Sequence, residues 1–264
     1  MQPAHAKSPL GRRQAASALV SMDQIDHAVF NTLLKKYVDS DGYVDYSSWK
    51  RSSRDRQALQ YYLGQLSRAD RQKRASREAR MAFWINAYNA VTLEGILQEY
   101  PTSSIRKHTS RFGGYNIWKD LPLMVGNHPY SLNDMEHKIL RKMGDPRIHF
   151  AIVCASVSCP RLRNEAYAAK TLNDQLSDNA RDFFSRRQNL QVDVSSGTVH
   201  MSSILKWFGS DFGRTEVERL AAVRRYMPRA GQQAAANRRV RVRYLNYNWN
   251  LNDQRSKPRT ALRR

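Results

Sequence analysis

The segment HFAIVCASVSCPRL, residues 149–162, contains the only two cysteines of the chain, Cys154 and Cys159. A cysteine can be a nucleophile beside a base, one half of a disulfide, a metal ligand, or a small residue buried in a tight turn. Each possibility needs different neighbours. The rest of the sequence shows which neighbours are present.

The spacing of the two cysteines argues against a metal site. A structural zinc site needs four ligands, and neither a CxxC nor an HxxxH motif accompanies the pair. We therefore expect no metal and no other cofactor. A Cys-x4-Cys disulfide is sterically allowed in a loop, but a domain of this size does not need it to fold.

A nucleophile requires a thiolate and a base that is itself oriented. The run IHFAIVC predicts a central strand that ends at Cys154 and places His149 on its opposite face. The small residues Ala155, Ser156 and Ser158 follow, and we expect their N–H groups to be free for a substrate oxyanion. Because His149 faces away in a straight strand, the base stays open among His149 and three other histidines, which are His137, His128 and His200.

Two other elements carry polar side chains on apolar faces. The helix predicted from Ser131 places Glu136 on the stripe formed by Leu132, Ile139 and Leu140. Glu136 is either a satisfied ion-pair partner or a tuned carboxylate that orients a base. The long helix that follows Ser76 is apolar on almost every side, yet it presents Asn86 and Asn89 on one face. Both asparagines need partners, either in loops or in a site.

The other segments complete one α+β domain, mostly helical, with a small sheet. Helical periodicity is found near residues 25–37, 54–66, 171–187 and 216–226, and hairpins are predicted through Gly126-Asn127 and Ser196-Gly197. RVRVRYLNYNW predicts a last strand. We assign residues 1–22 to a disordered leader, 23–252 to the globular domain and 253–264 to a basic disordered tail.

The chain is strongly basic, with 44 Lys and Arg against 23 Asp and Glu, a formal charge of +21. Arg68, Arg71, Lys73, Arg74, Arg77 and Arg80 crowd one segment. Such a surface attracts an anionic polymer or a membrane surface, although it can also serve solubility alone. No motif for sequence-specific nucleic-acid binding is present, and no apolar run is long enough to span a membrane. Nothing in the sequence indicates the oligomeric state.

Ala4-His5-Ala6 resembles the small-x-small end of a secretory cleavage site, but no apolar stretch precedes it. Either this resemblance is accidental, or the leader is the remnant of a signal peptide whose start lies upstream. We expect a periplasmic or secreted protein if the true start lies upstream, and a cytoplasmic one otherwise.

Four motifs carry a family resemblance: AFWINAYNAVTLEGILQEYP, SLNDMEHKILR, DPRIHFAIVCASVSCPRLRNEAY and SSILKWFGSDF. Together, from about Ile25 to Asn252, they resemble the bacterial branch of the family catalogued as domain of unknown function 547. Some relatives join this domain to a glutaredoxin domain or to plant coiled coils, which implies a thiol-related or scaffold role. Plant members often have Ser at the position of Cys159, and this favours Cys154 for thiol chemistry. Members also often have a secretory leader.

The order of a buried helix and a following strand that carries His149 is distantly similar to papain-like and transglutaminase-like enzymes. Those enzymes place the nucleophile on the helix, where this chain has Asn86 and Asn89. If the fold is shared, the thiol has moved to Cys154 or the site is not catalytic.

The sequence supports two hypotheses. In the first, the protein is a thiol-dependent hydrolase or acyl transferase with Cys154 as nucleophile and His149 as base. Glu136 orients the base, and Asn89 contributes a polar side chain to the site. His137 and Cys159 are the alternative catalytic residues. In the second, the same residues form a buried network in a non-catalytic envelope or scaffold module, and the basic surface binds an anionic polymer. The substrate is not indicated by the sequence.

Overall fold

Helices make up most of the protein, as the sequence predicts for an α+β domain. The structure is a computed structural model that describes residues 7–110, 114–237 and 239–257. Within those residues the α-helices are α1 Ala28–Tyr37, α2 Tyr46–Arg51, α3 Ser53–Leu66, α4 Arg77–Glu99, α5 Ile117–Asp120, α6 Leu172–Ser185, α7 Ile204–Trp207, α8 Glu216–Val223 and α9 Arg229–Ala236. A π-helix covers Asp134–Leu140.

Helix α4 is the central element of the larger hydrophobic core. Ser76 caps its start, since the Ser76 hydroxyl accepts a hydrogen bond of 3.2 Å from the Ala79 N–H. Nearly every residue from Met81 to Leu97 is buried, in agreement with a pattern that is apolar on all sides. None of the described helices is long and apolar enough to cross a membrane.

Two small sheets complete the fold. Strands β1 Leu123–Val125 and β2 His128–Tyr130 form an antiparallel hairpin, and its turn residues Gly126 and Asn127 both have positive φ angles. The second sheet has the order β3–β4–β5, with β3 Leu190–Asp193, β4 Thr198–Met201 and β5 Arg241–Tyr244. Strands β3 and β4 are antiparallel, whereas β5 lies parallel to β4. Both predicted hairpins are confirmed.

The predicted strand over residues 148–154 is wrong. Asp145 caps a 3₁₀-helix, Pro146–Phe150, and the chain then runs to Cys154 without a strand partner. Buried asparagines take the place of a neighbouring strand. Asn89 bonds to the Ala151 carbonyl and the Val153 N–H, and Asn179 bonds to the Phe150 carbonyl. A short apolar run is equally compatible with a strand and with this buried, side-chain-paired segment.

The described parts of the predicted leader and tail contact the domain. Leu10 is buried, and its N–H donates to the Pro122 carbonyl at 2.7 Å. Asp253 accepts a hydrogen bond from the Tyr100 hydroxyl, and Lys257 forms an ion pair with Asp39. An isolated Leu10 in a polar segment has no periodicity to reveal its burial. Residues 1–6 and 258–264, which include Ala4-His5-Ala6, lie outside the described residues.

Candidate functional site

A cavity of about 270 Å³ brings together most of the residues that the sequence predicts for a site. It lies between the π-helix, the segment that follows Phe150, helix α7 and the chain beyond β5. Its reactive lining residues are Glu136, His137, His149, Cys154 and Cys159, and its aromatic lining residues are Tyr88, Trp118, Trp207, Phe208, Tyr247 and Trp249. We call this space the thiol cavity.

The two cysteines form a close pair of free thiols. Their sulfur atoms are 2.7 Å apart, and the Cys154 N–H points at the Cys159 sulfur at 2.8 Å. The Cys154 sulfur also lies 3.0 Å from the Ser156 hydroxyl and 3.3 Å from the Tyr247 hydroxyl. Both cysteines line the cavity, and Cys154 is the more exposed of the two. Four intervening residues therefore fold back far enough to bring the thiols into contact.

These contacts give the two thiols different pKa values. Burial raises the pKa of Cys159, but hydrogen bonds from the Cys154 thiol, the Tyr247 hydroxyl and the backbone N–H groups of Cys154 and Ser156 bring it down to about 7. The hydrogen bond to Cys159, together with burial, raises the pKa of Cys154 well above its ordinary value. The pair thus releases its first proton near neutral pH, and the negative charge resides on Cys159.

The loop between the cysteines is held by the chain beyond β5. The N–H groups of Val157 and Ser158 donate to the carbonyls of Asn250 and Asn248, at 2.9 and 3.1 Å. Ala155 has a φ of +56°, a left-handed conformation that costs a residue with a Cβ on the order of 1 kcal/mol. The expectation that the Ser158 N–H is free for an oxyanion is wrong, because that N–H pairs with Asn248, and the Ser156 N–H stabilises the Cys159 sulfur.

Glu136 lies on the π-helix and is 8% exposed. The Tyr88 hydroxyl donates a hydrogen bond of 3.1 Å to its carboxyl group. Burial raises the pKa of Glu136 to about 7, although the Tyr88 hydrogen bond and the charge of Arg141 oppose the rise. A carboxyl group that titrates near neutral pH can give and take protons inside the cavity.

His149 is paired with a carboxylate that the sequence does not reveal. The His149 Nε2 atom lies 2.8 Å from Asp211, which also accepts two hydrogen bonds of 2.6 Å from Arg141. The imidazole stacks on Phe208 with ring centroids 4.2 Å apart. Burial lowers the pKa of His149 to about 4, despite the opposing charge of Asp211. The motif SSILKWFGSDF contains Asp211, but nothing in the sequence links it to a histidine 62 residues earlier.

The second histidine of the cavity, His137, has a different partner. Its Nδ1 atom lies 3.1 Å from the Arg141 guanidinium, and burial together with Arg141 lowers its pKa. Neither His137 nor His149 forms a hydrogen bond with a cysteine among the described contacts. The described residues also contain no group of three or more His, Cys, Asp or Glu side chains that could hold a metal ion.

Asn89 does not line the cavity. Its buried amide instead fixes the backbone of Ala151 and Val153, directly before Cys154. In the same way, the Asn86 side chain accepts a hydrogen bond of 2.9 Å from the Tyr167 N–H and donates one of 2.8 Å to the Tyr167 carbonyl. Both asparagines thus hold neighbouring segments against α4, and Asn89 is a positioning residue for the thiols.

The substitution Asn89→Ala is expected to lower the free energy of unfolding by about 2–4 kcal/mol, because two buried backbone groups lose their partners. It should also change the pH dependence of thiol alkylation, since Cys154 follows the released segment. Asn86→Ala is the matched control: it also removes two buried hydrogen bonds but lies against Tyr167. Chemical denaturation and alkylation of both variants check this. An equal change of the alkylation profile in both would contradict a positioning role for Asn89.

An aromatic wall forms the outer side of the cavity. Trp207, Tyr247 and Trp249 contact one another with ring centroids 4.5–5.6 Å apart, and Trp207 is 48% exposed. The sequence gives little sign of these residues as site residues. The only signals are the aromatic spacing in the segment LNYNW, which is equally typical of the end of a strand, and the place of Trp207 in the motif SSILKWFGSDF. The wall gives the cavity an apolar, ring-stacking surface for a bound group.

These features define an α+β protein with a pair of thiols in an aromatic-walled cavity. Residues 72–184 match the family model described as "Protein of unknown function, DUF547". The family resemblance is thereby confirmed over those residues. They include Asn89, Glu136, His149 and both cysteines. Asp211 and the aromatic wall lie beyond the match.

No curated protein and no solved structure matches the chain. The distant similarity to papain-like enzymes therefore stays a prediction.

Proposed function

We propose that this protein is a thiol–disulfide oxidoreductase that acts on a small disulfide bound in the thiol cavity. The observation that carries the proposal is the pair of free thiols, 2.7 Å apart and open to one cavity. A dithiol that shares one proton near neutral pH is the arrangement that thiol–disulfide exchange requires, because a thiolate attacks and a second thiol resolves.

The exchange has two steps. The Cys159 thiolate attacks one sulfur of the substrate disulfide, and the other substrate sulfur leaves as a thiolate. The Cys154 thiol then loses its proton and attacks the Cys159 sulfur, so that the Cys154–Cys159 disulfide forms and the second substrate sulfur departs with that proton. The substrate gains two electrons and the cysteine pair loses two. A dithiol reductant returns the pair to its starting state.

Neighbouring groups support both steps. The backbone N–H groups of Cys154 and Ser156 stabilise the attacking thiolate on Cys159. Glu136 lines the same cavity and has a pKa of about 7, so it can relay the proton that Cys154 loses. A volume of about 270 Å³ with aromatic walls suits a small disulfide that carries an apolar or aromatic group.

Oxidation tests the proposal directly. The reduced protein should expose two thiols to an alkylating reagent, and a glutathione redox buffer should convert both to one intramolecular disulfide in a single transition. Mass spectrometry after alkylation counts the thiols, and size-exclusion chromatography verifies that no intermolecular bridge forms. Protein that keeps two alkylatable thiols in oxidised buffer, or that forms disulfide-linked dimers instead, would contradict the proposal.

A second candidate function is cysteine-dependent hydrolysis or acyl transfer with Cys154 as nucleophile. Two observations favour it: His149, which is paired with Asp211, lines the same cavity as the thiols, and the residue after Cys154 has a left-handed conformation. Asp211 would then orient His149, the role expected of Glu136. This function needs His149 to reach Cys154, and only one of the two cysteines would be essential. Single cysteine variants therefore distinguish the two functions.

A further inference from the structure

A second cavity, of about 530 Å³, lies between the start of α4 and the π-helix. Five basic side chains line it: Arg71, Arg77, Arg80, Lys138 and Lys142. The buried ring of Trp84 is part of its apolar lining. We call it the basic groove. It shares no lining residue with the thiol cavity, so a function of the groove is independent of the proposed thiol chemistry.

Three of the five cations form hydrogen bonds or an ion pair with neighbouring residues. Arg71 lies over the Tyr130 ring, 5.4 Å from its centroid, and donates to the Tyr130 hydroxyl at 2.9 Å. Arg77 donates to the Met143 carbonyl at 2.7 Å. Lys138 forms an ion pair of 2.6 Å with Asp134. The guanidinium groups retain further N–H donors, because each has five and these contacts use few of them.

The other two cations are Arg80 and Lys142. Neither Arg80 nor Lys142 forms an ion pair within the described part of the chain. No Asp or Glu is among the described residues that line the groove. Of the nearby carboxylates, Asp23 bonds to Ser76 and Asp145 pairs with Arg147. The positive end of the 23-residue helix α4 adds to the field, because the helix begins at Arg77.

Like charges that share one concave surface repel each other, and a multivalent anion relieves that repulsion. Arginine forks match phosphate oxygens in two-point hydrogen bonds better than they match a point anion. The groove is large enough for a few phosphate groups but not for a nucleic-acid duplex. We propose that the basic groove is a binding site for a ligand that carries several phosphate groups.

The experiment uses inorganic tripolyphosphate and calorimetric titration of the full chain. The double variant Arg80→Gln with Lys142→Gln removes the two unpaired cations of the groove. The control, Arg54→Gln with Arg187→Gln, removes two exposed cations elsewhere, so both variants lose the same charge from the total of +21. We expect the dissociation constant to rise at least about tenfold in the groove variant and less than about twofold in the control.

Equal weakening in both variants would overturn the proposal, because binding would then depend on the net charge rather than the groove. So would a failure of the unchanged protein to bind tripolyphosphate at low salt. Vesicles of phosphatidylcholine with added phosphatidic acid distinguish the sources of phosphate. The ligand is a lipid headgroup if the unchanged protein binds these vesicles, the groove variant does not, and tripolyphosphate competes with the vesicles. The ligand is a soluble phosphate compound if the protein binds tripolyphosphate but not the vesicles. Both results support the groove.

Discussion

Cys154→Ser is expected to halve the yield of a reaction with an aromatic disulfide reagent. The unchanged protein should release two equivalents of aromatic thiolate for each chain, because Cys154 resolves the mixed disulfide on Cys159 and the intramolecular disulfide forms. Without Cys154 the reaction stops after one equivalent, and the reagent stays bound to Cys159. Absorbance counts the released thiolate, and mass spectrometry detects the trapped adduct.

Cys159→Ser should also give one equivalent, but at a lower rate. At pH 7 a thiol with a pKa of about 7 is half ionised, whereas one with an ordinary pKa near 9 is about one per cent ionised. The more basic thiolate is intrinsically more nucleophilic, which recovers a factor of nearly ten. The net loss is therefore about five- to tenfold, and raising the pH to 9 should remove most of it.

Comparison of the two serine variants decides between the proposed functions. Oxidoreduction requires both cysteines for the second equivalent, whereas acyl transfer requires only the nucleophile. If the unchanged protein releases a single equivalent, or if mass spectrometry finds the reagent still bound to both cysteines, the pair does not resolve and the oxidoreductase proposal fails. If Cys159→Ser reacts as fast as the unchanged protein, the thiolate resides on Cys154. Circular dichroism of both variants serves as the control for folding.

The elements that surround the site could be predicted from sequence because their signals are local. Ser76 and the apolar run after it define the start and the burial of α4. The position of Glu136 on an apolar stripe predicts a buried carboxyl group, and the structure places that group in the cavity. Gly126 and Asn127 predict a hairpin turn because both tolerate positive φ angles.

The contacts between side chains of different elements could not be predicted from local sequence patterns. Asp211 meets His149 across 62 residues of the chain, and no periodicity encodes that contact. The contact between the two sulfurs depends on the left-handed conformation of Ala155, which is rare for alanine. Asn89 replaces a strand partner, and a single asparagine on a helix does not reveal which backbone it will bond. Local pattern thus predicts the elements, while side-chain pairing over long separations builds the site.

Glu136→Gln is expected to make the protein more stable relative to the unchanged protein as the pH rises. Burial raises the pKa of Glu136 from 4.5 to about 7, so the folded state binds this proton more tightly than the unfolded state does. The unchanged protein therefore loses stability as the pH rises from 4.5 through 7, and it keeps that penalty above 7. The rise in pKa corresponds to about 3 kcal/mol. Glutamine does not titrate and escapes the penalty.

The measurement is the difference in unfolding free energy between Glu136→Gln and the unchanged protein, determined by denaturation from pH 4 to 8.5. Burial lowers the pKa values of His27 and His149 to about 4, so both histidines titrate in part of this pH range. Because both proteins contain them, their contribution cancels in the difference. A constant offset from the new amide next to Tyr88 does not affect the slope. The control Asp174→Asn changes an exposed carboxylate on α6 that does not line the cavity, and it provides the baseline for comparison. A flat difference for Glu136→Gln would mean that folding does not shift the pKa of this carboxyl group, which would then be ionised near pH 7 and could not take the proton that Cys154 loses.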